Sequence, residues 1–187
     1  SARPRHMMEG FMRALRGSRP ALHVVATGYN PGGGEPRLGP WFYAGSALES
    51  RAHPCFQYDP EAGNSWARRL DFSANPCPED DWPTYELSAK VEAGGEQIPS
   101  RAFPFAAFAL LDPAYAGHFR LVPDGIPDQE RDTLSAFLNL PEEESAQKIP
   151  FVWGVDGTGK LRRLALTRKL ARAALDRLGY WHTLQEL

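Results

Sequence analysis

A mixed α/β (α+β) fold, arranged as two lobes, is the class this sequence predicts, and three observations predict it. Residues 149–187 read as a β-hairpin followed by one amphipathic helix. Residues 8–58 alternate between helical and strand patterns. Residues 82–103 offer two further hairpin arms around a glycine pair.

The C-terminal unit is the best defined. The apolar run Phe151-Val152-Trp153-Gly154-Val155 turns through Asp156-Gly157-Thr158-Gly159 and returns through Leu161-Arg162-Arg163-Leu164-Ala165-Leu166. Thr167 offers a hydroxyl to cap a helix. Behind it, Leu170, Ala171, Ala174, Leu175, Leu178, Trp181 and Leu184 recur at spacings of three and four and draw one apolar stripe. Gly154, Gly159 and Lys160 also fit the start of the phosphate-loop pattern G-x-x-x-x-G-K. Leu161 stands where Ser or Thr should hold magnesium, and the residues that follow alternate like a strand. The stretch reads as a hairpin turn.

Composition bounds the rest. A chain of 187 residues, 42% hydrophobic and 24% charged, can bury one good core or two small ones. The net charge of −2 creates no overall field for nucleic acid or an anionic membrane, and no apolar run approaches a membrane span. Cys55 and Cys77 lack C-x-x-C spacing and suggest no disulfide framework, so a reducing cytoplasm is the expected location. Seventeen prolines and seventeen glycines predict many turns and irregular connections.

Taken in order, Ser1 to Met7 read as a cloning scar outside the fold. Phe11, Met12 and Leu15 predict a short helix ending at Gly17, and Ala21 to Ala26 a buried strand. His23 within that strand reads as a core or edge histidine, since no second ligand sits nearby. Tyr29 to Gly34 is a surface loop whose triple glycine lacks the strand-to-helix setting of an anion cradle. Trp41 to Ser50 reads as a helix and Pro54 to Tyr58 as a strand, which predicts an α/β unit with parallel pairing. Trp82 to Val91 and Glu96 to Phe103 form the second hairpin around Gly94-Gly95. Pro104 opens a helix over Phe105 to Leu111, ended by Asp112-Pro113. Ala114 to Arg120 adds a turn with Tyr115 and Phe119 on one face. Val122 to Arg131 is a polar linker, and Thr133 to Leu138 a short amphipathic piece. A further helix starts at Pro141, where Glu142, Glu143 and Glu144 suit the positive end of the helix dipole better than a catalytic acid cluster.

Three stretches carry a family resemblance: "PALHVVATGYNPGGG", "ALESRAHPCFQYDP" and "RLDFSANPCPEDDWP". They resemble the late part of pyruvate:ferredoxin oxidoreductases and related 2-oxoacid:acceptor oxidoreductases. A strand after "PAL" there ends the thiamine-diphosphate domain, and "WPLYRYxP" and "LDxxxP" segments follow, matched here by His53 to Pro60 and Leu70 to Pro76. The tail from Ile149 to Leu187 also looks like the C-terminus of long relatives of those enzymes. The resemblance spans about two thirds of the chain and rests on packing and turn residues. It implies that residues 8–80 are the trailing part of a thiamine-diphosphate-type α/β sandwich, and that residues 81–187 are a small lobe of hairpins packed on the last helix.

The departures locate the chemistry elsewhere. The family's G-D-G run and its magnesium-holding Asn are missing, and Ala26-Thr27-Gly28-Tyr29 lacks the cysteine expected after the "PAL" strand. Cys55 replaces an apolar strand residue, Cys77 lies in a Pro-flanked loop, and thiolates without partners build no iron–sulfur site. Thiamine diphosphate, magnesium and, as an open alternative, an iron–sulfur cluster are therefore expected in a parent enzyme and none in this chain. No catalytic residue is assigned. His6, His23, His53, His118 and His182 are scattered without metal spacing, and no nucleophile elbow occurs.

One candidate surface remains. Lys160, Arg162, Arg163, Arg168, Lys169, Arg172 and Arg177 give the C-terminal unit an excess of positive charge. Such charge suits docking to other domains of the parent or to an acidic electron carrier such as ferredoxin, or else is the solvated face of a hairpin and helix. The expected role is a non-catalytic scaffold and interdomain contact domain, with homodimer contacts as one option. The alternative is an interaction module that kept the core and lost its cofactors. Nucleic acid and membrane are not expected partners.

Overall fold

The computed structural model describes residues 2–26, 39–86, 100–123 and 125–187. The triple-glycine loop and the Gly94-Gly95 turn lie outside them. The described chain is mixed α/β, built from short helices and three small sheets around the C-terminal hairpin and helix.

Helix α1 spans Pro4–Arg16, with proline in its first turn and Gly17 at its end. The C-terminal boundary agrees with the sequence. The helix begins before the expected short one, taking in residues 4–7. Residues 21–26 are a correction: they pair with no strand, and Leu22 and Val24 are 89% and 88% exposed. An apolar run becomes a buried strand only where a partner strand and a covering layer exist, and the described residues supply neither.

Helix α2, Pro40–Glu49, agrees with the sequence to within one residue. The strand expected over Pro54 to Tyr58 shortens to β1, Gln57–Tyr58. After α3, Trp66–Arg69, the strand β2, Leu70–Asp71, pairs with β1 antiparallel. This corrects the expected α/β unit, in which residues 21–26 and 54–58 pair in parallel: β1 joins β2 instead, and the eleven residues 59–69 between them fall short of a parallel crossover, so the chain doubles back. Strands β3, Thr84–Tyr85, and β4, Arg101–Ala102, pair antiparallel at the base of the second expected hairpin.

Pro104 precedes α4, Phe105–Ala109, in which Phe105, Ala106, Phe108 and Ala109 are all buried. Asp112 caps the 3-10 turn over Pro113–His118 by accepting from the Ala114 amide. That turn stops before Phe119, which opens β5, Phe119–Leu121, so Tyr115 and Phe119 do not share a helical face. The linker expected up to Arg131 instead ends in β6, Arg131–Thr133, and Thr133 caps α5, Leu134–Leu138. Helix α6, Glu142–Ser145, is one turn carrying the three glutamates.

Strands β7, Ile149–Val155, and β8, Leu161–Leu166, form the expected hairpin, with Phe151 opposite Ala165, Trp153 opposite Arg163 and Val155 opposite Leu161. The hairpin is the centre of a four-stranded sheet in the order β5-β8-β7-β6, with β6 parallel to β7. Helix α7, Arg168–Glu186, then starts at Thr167, whose hydroxyl accepts from the Leu170 amide at 3.3 Å. Six of the seven stripe residues are buried, and Leu175 lies at the exposed edge.

Helix α7 joins two apolar clusters. Leu170, Ala171 and Ala174 meet α4, α5, the sheet and α2 through Ala47. Leu178, Trp181 and Leu184 meet Leu70 and Trp82. Both clusters draw residues from either side of position 80.

Candidate functional site

The seven basic residues do not form one free patch. Arg162 is paired with Asp156 at 2.8 Å. Arg168 donates to the carbonyls of Ser145, Ala146 and Lys148 at 2.7, 3.0 and 2.8 Å, capping the end of α6 while its guanidinium lies over Phe137. Arg177 reaches the Ala52 carbonyl at 3.4 Å and lies over Phe105. Arg163 turns onto the aromatic pair Phe151 and Trp153. Lys169 is exposed, and Arg172 is exposed beside Asp176 at 3.9 Å, a weak surface pair. Lys160 is exposed on the hairpin turn. Much of the charge that reads as a docking stripe in one dimension fastens local structure in three.

The phosphate-loop look-alike is closed by its own carboxylate. Asp156 Oδ1 accepts from the Thr158 amide at 2.9 Å, the Thr158 hydroxyl at 2.6 Å and the Lys160 amide at 3.0 Å. The Thr158 bond, with help from Arg162 and the Lys160 amide, holds the Asp156 carboxyl below the usual range. Donors that a phosphate would need are spent on this side chain.

Among the described residues, exposed large apolar side chains concentrate between positions 8 and 66. On α1, Met8, Phe11, Met12 and Leu15 recur at helical spacing and none is buried. Leu22, Val24 and Val25 follow, then Trp41 and Phe42 at the start of α2, and Phe56, Tyr58 and Trp66 around β1 and α3. Within the segment Phe11 stacks on His23 at 4.2 Å; Arg13 donates to Gln57 at 3.0 Å, Gln57 donates to the His6 carbonyl at 2.9 Å, and Arg19 pairs with Glu61 at 3.0 Å. His23, read from the sequence as a core or edge histidine, is not in the core: it is a surface ring stacked on Phe11.

The cysteines and histidines sit in separate surroundings. Burial pushes the Cys55 thiol up, and Asn75 fixes its backbone by accepting from the Cys55 amide and donating to its carbonyl. Cys77 is exposed at φ 44°. Burial lowers the His53 pKa, while His182 bonds Asp81 at 2.7 Å. Among the described residues, no group of three or more His, Cys, Asp and Glu is placed to hold a metal ion. An open cleft of about 740 Å³ lies beside β2, bounded by Arg68, Asp71, Phe72, Glu79 and Gln185.

Two features escaped the sequence. Arg51 is wholly buried and organises the loop ahead of Trp82, a role that no local pattern signals. Trp153 faces Arg163 across the hairpin, which the turn length alone would have revealed.

These features define a mixed α/β domain with a packed C-terminal unit and an apolar N-terminal surface. Comparison with known proteins yields no matching family model, no similar curated protein and no similar solved structure. No helix among the described residues is long and apolar enough to cross a membrane.

Proposed function

We propose that this chain is the C-terminal domain of a cytoplasmic 2-oxoacid:ferredoxin oxidoreductase-like enzyme, serving as scaffold and interdomain contact and contributing no catalytic group. The observation that carries this reading is the apolar surface of α1 and residues 21–26. Large apolar side chains gathered on one exposed stretch mark a surface made to be covered. The hexapeptide Ala21 to Ala26 has the composition of a buried strand and pairs with none here. Added to a sheet of the parent, it would gain both hydrogen-bond partners and a covering layer, and would form the trailing edge of the thiamine-diphosphate-type sandwich. Thiamine diphosphate and magnesium then belong to the parent, and electrons pass to an acidic carrier such as ferredoxin.

The test is to express the polypeptide continuous with this chain in its genome and to measure 2-oxoacid-dependent reduction of a ferredoxin. Backbone amides of residues 21–26 should exchange fast in the isolated chain and become protected in the longer polypeptide. A preceding sequence without a G-D-G motif and paired cysteines sinks the enzyme reading. It favours the second one, an interaction module derived from that family, which the lack of a cysteine at positions 26–29 supports.

A further inference from the structure

The register of the hairpin sets Trp153 directly opposite Arg163. The Arg163 guanidinium lies 4.9 Å from the Trp153 ring centroid and 5.9 Å from that of Phe151. Arg101, on β4, reaches the same indole at 5.4 Å. Two permanent cations thus share one aromatic ring. The indole face attracts each of them but accepts no conventional hydrogen bond in its plane.

The donors around this ring are unfilled. Arg101 Nε, Arg163 Nε and Trp153 Nε1 are all enclosed, and none has a hydrogen-bond partner. Enclosed donors are ordinarily paired, so three together in one cluster call for an acceptor. The Asp128 carboxylate feels Arg163, but its Oδ1 accepts from Arg131, from Nε at 2.9 Å and also from Nη2. A second arginine–indole pair shows a contrast: Nε and Nη2 of Arg51, over Trp181, donate to four carbonyls and the Trp181 N–H to one, with only Arg51 Nη1 unpartnered. At Arg101 and Arg163 the ring is present and Nε has no acceptor.

We propose that Arg101, Trp153 and Arg163 form a binding site for a doubly charged oxyanion, of the phosphate or dicarboxylate class. A guanidinium fork presents parallel N–H donors that match either group of oxygens. Two forks call for two negative charges, and the indole N–H supplies a further donor on the same side chain that holds both cations. A neutral acceptor would fill the N–H groups and leave both charges uncompensated.

The test uses the full chain, labelled with 15N, and two probes titrated separately: inorganic phosphate and succinate, each against sodium chloride of equal ionic strength. The expected result is a saturable shift of the Trp153 indole N–H and of the Arg101 and Arg163 Nε–H resonances with at least one probe. Saturation by phosphate alone assigns the site to phosphate groups, and saturation by succinate alone assigns it to dicarboxylates. Arg101→Gln and Arg163→Gln should each weaken binding about tenfold, the usual consequence of losing a charge-assisted bond. Trp153→Phe, which keeps the ring and removes the N–H, should weaken it less. Arg162→Gln should leave affinity unchanged, since that side chain serves Asp156. Shifts that follow ionic strength alone, or equal affinity in wild type, Arg101→Gln and Arg163→Gln, overturn the proposal. Thermal melts identify any variant that fails to fold, and the remaining arginine variant then decides.

Discussion

The Arg51 guanidinium lies 3.9 Å above the centroid of the Trp181 indole, and both side chains are completely buried. Arg51 sits at φ 60°, and its Nε and Nη2 donate to the carbonyls of Asp81, Pro76, Cys77 and Asp80 at 2.8 to 3.1 Å. The Trp181 N–H donates to the same Asp80 carbonyl at 3.0 Å, the adjacent His182 bonds Asp81, and Gln185, one turn further along α7, donates to the Pro78 carbonyl. One cation and one helix therefore clamp the loop 76–81 from opposite ends. Burial lowers the Arg51 pKa, and the carbonyls replace the water it has lost.

Removing either half of this clamp should destabilise the fold. Arg51→Met removes the donor to the carbonyls of Asp81, Pro76 and Cys77, leaves the Trp181 N–H on Asp80, and should lose about 3 kcal/mol in urea unfolding. Trp181→Phe, which keeps a ring and drops the N–H, should lose about 1–2 kcal/mol. Because both act on Asp80, the double variant should depart from additivity by about 0.5 kcal/mol or more. Strict additivity would show that they work apart.

Three glycines of the C-terminal hairpin distinguish a packed turn from a phosphate loop. A Cβ at Gly154 would stand 2.8 Å from Leu164 Cδ1 and 3.1 Å from Leu110 Cδ2, so Gly154→Ala should cost about 1–3 kcal/mol by overpacking. Gly159 has open space but φ +82°, so its alanine variant should cost about 1 kcal/mol through backbone strain. Gly157 has neither constraint, and Gly157→Ala should be neutral within about 0.5 kcal/mol. Thermal melts that rank the three differently would contradict the packing.

Tyr43 supplies a pH signature. Its hydroxyl donates to Asp112 Oδ2 at 3.2 Å, and burial, with the Asp112 charge, raises its pKa from 10.0 to about 12. The folded chain keeps that proton after the unfolded chain has released it. Stability from this group is thus complete below about pH 10 and is lost as pH rises toward 12. Tyr43→Phe should flatten part of the alkaline fall in stability. Tyr85, also raised to about 12, should keep the rest. Parallel profiles for wild type and variant through pH 12 would remove Tyr43 from the account.

The N-terminal apolar surface should make the isolated chain self-associate. Sedimentation velocity of the wild type should show average mass rising with concentration, and the variant Leu15→Arg with Val24→Arg should stay monomeric. Those side chains are 80% and 88% exposed, so the melting temperature should not move. A wild type that remains monomeric at high concentration would count against a covered surface.

Local pattern was enough for the C-terminal unit. A turn of fixed length between two apolar runs sets the pairing of β7 and β8, and the spacing of Leu170 to Leu184 sets the buried face of α7. Both follow from short-range geometry, as does the cap at Thr167. The apolar surface was legible as apolar residues, but its exposure was not. Whether Ala21 to Ala26 is buried depends on which strands and layers surround it, and periodicity carries no information about neighbours.

The amino-acid sequence by itself determined the mixed class, the hairpin and the final helix, because those depend on contacts between residues close in the chain. Only the tertiary structure decided that Arg51 is buried over Trp181, that β6 joins β7 in parallel, and that Arg101 and Arg163 meet at one indole. Each of these brings together segments distant in sequence, where an arginine reads as surface charge until its desolvation is offset by carbonyls or an aromatic face.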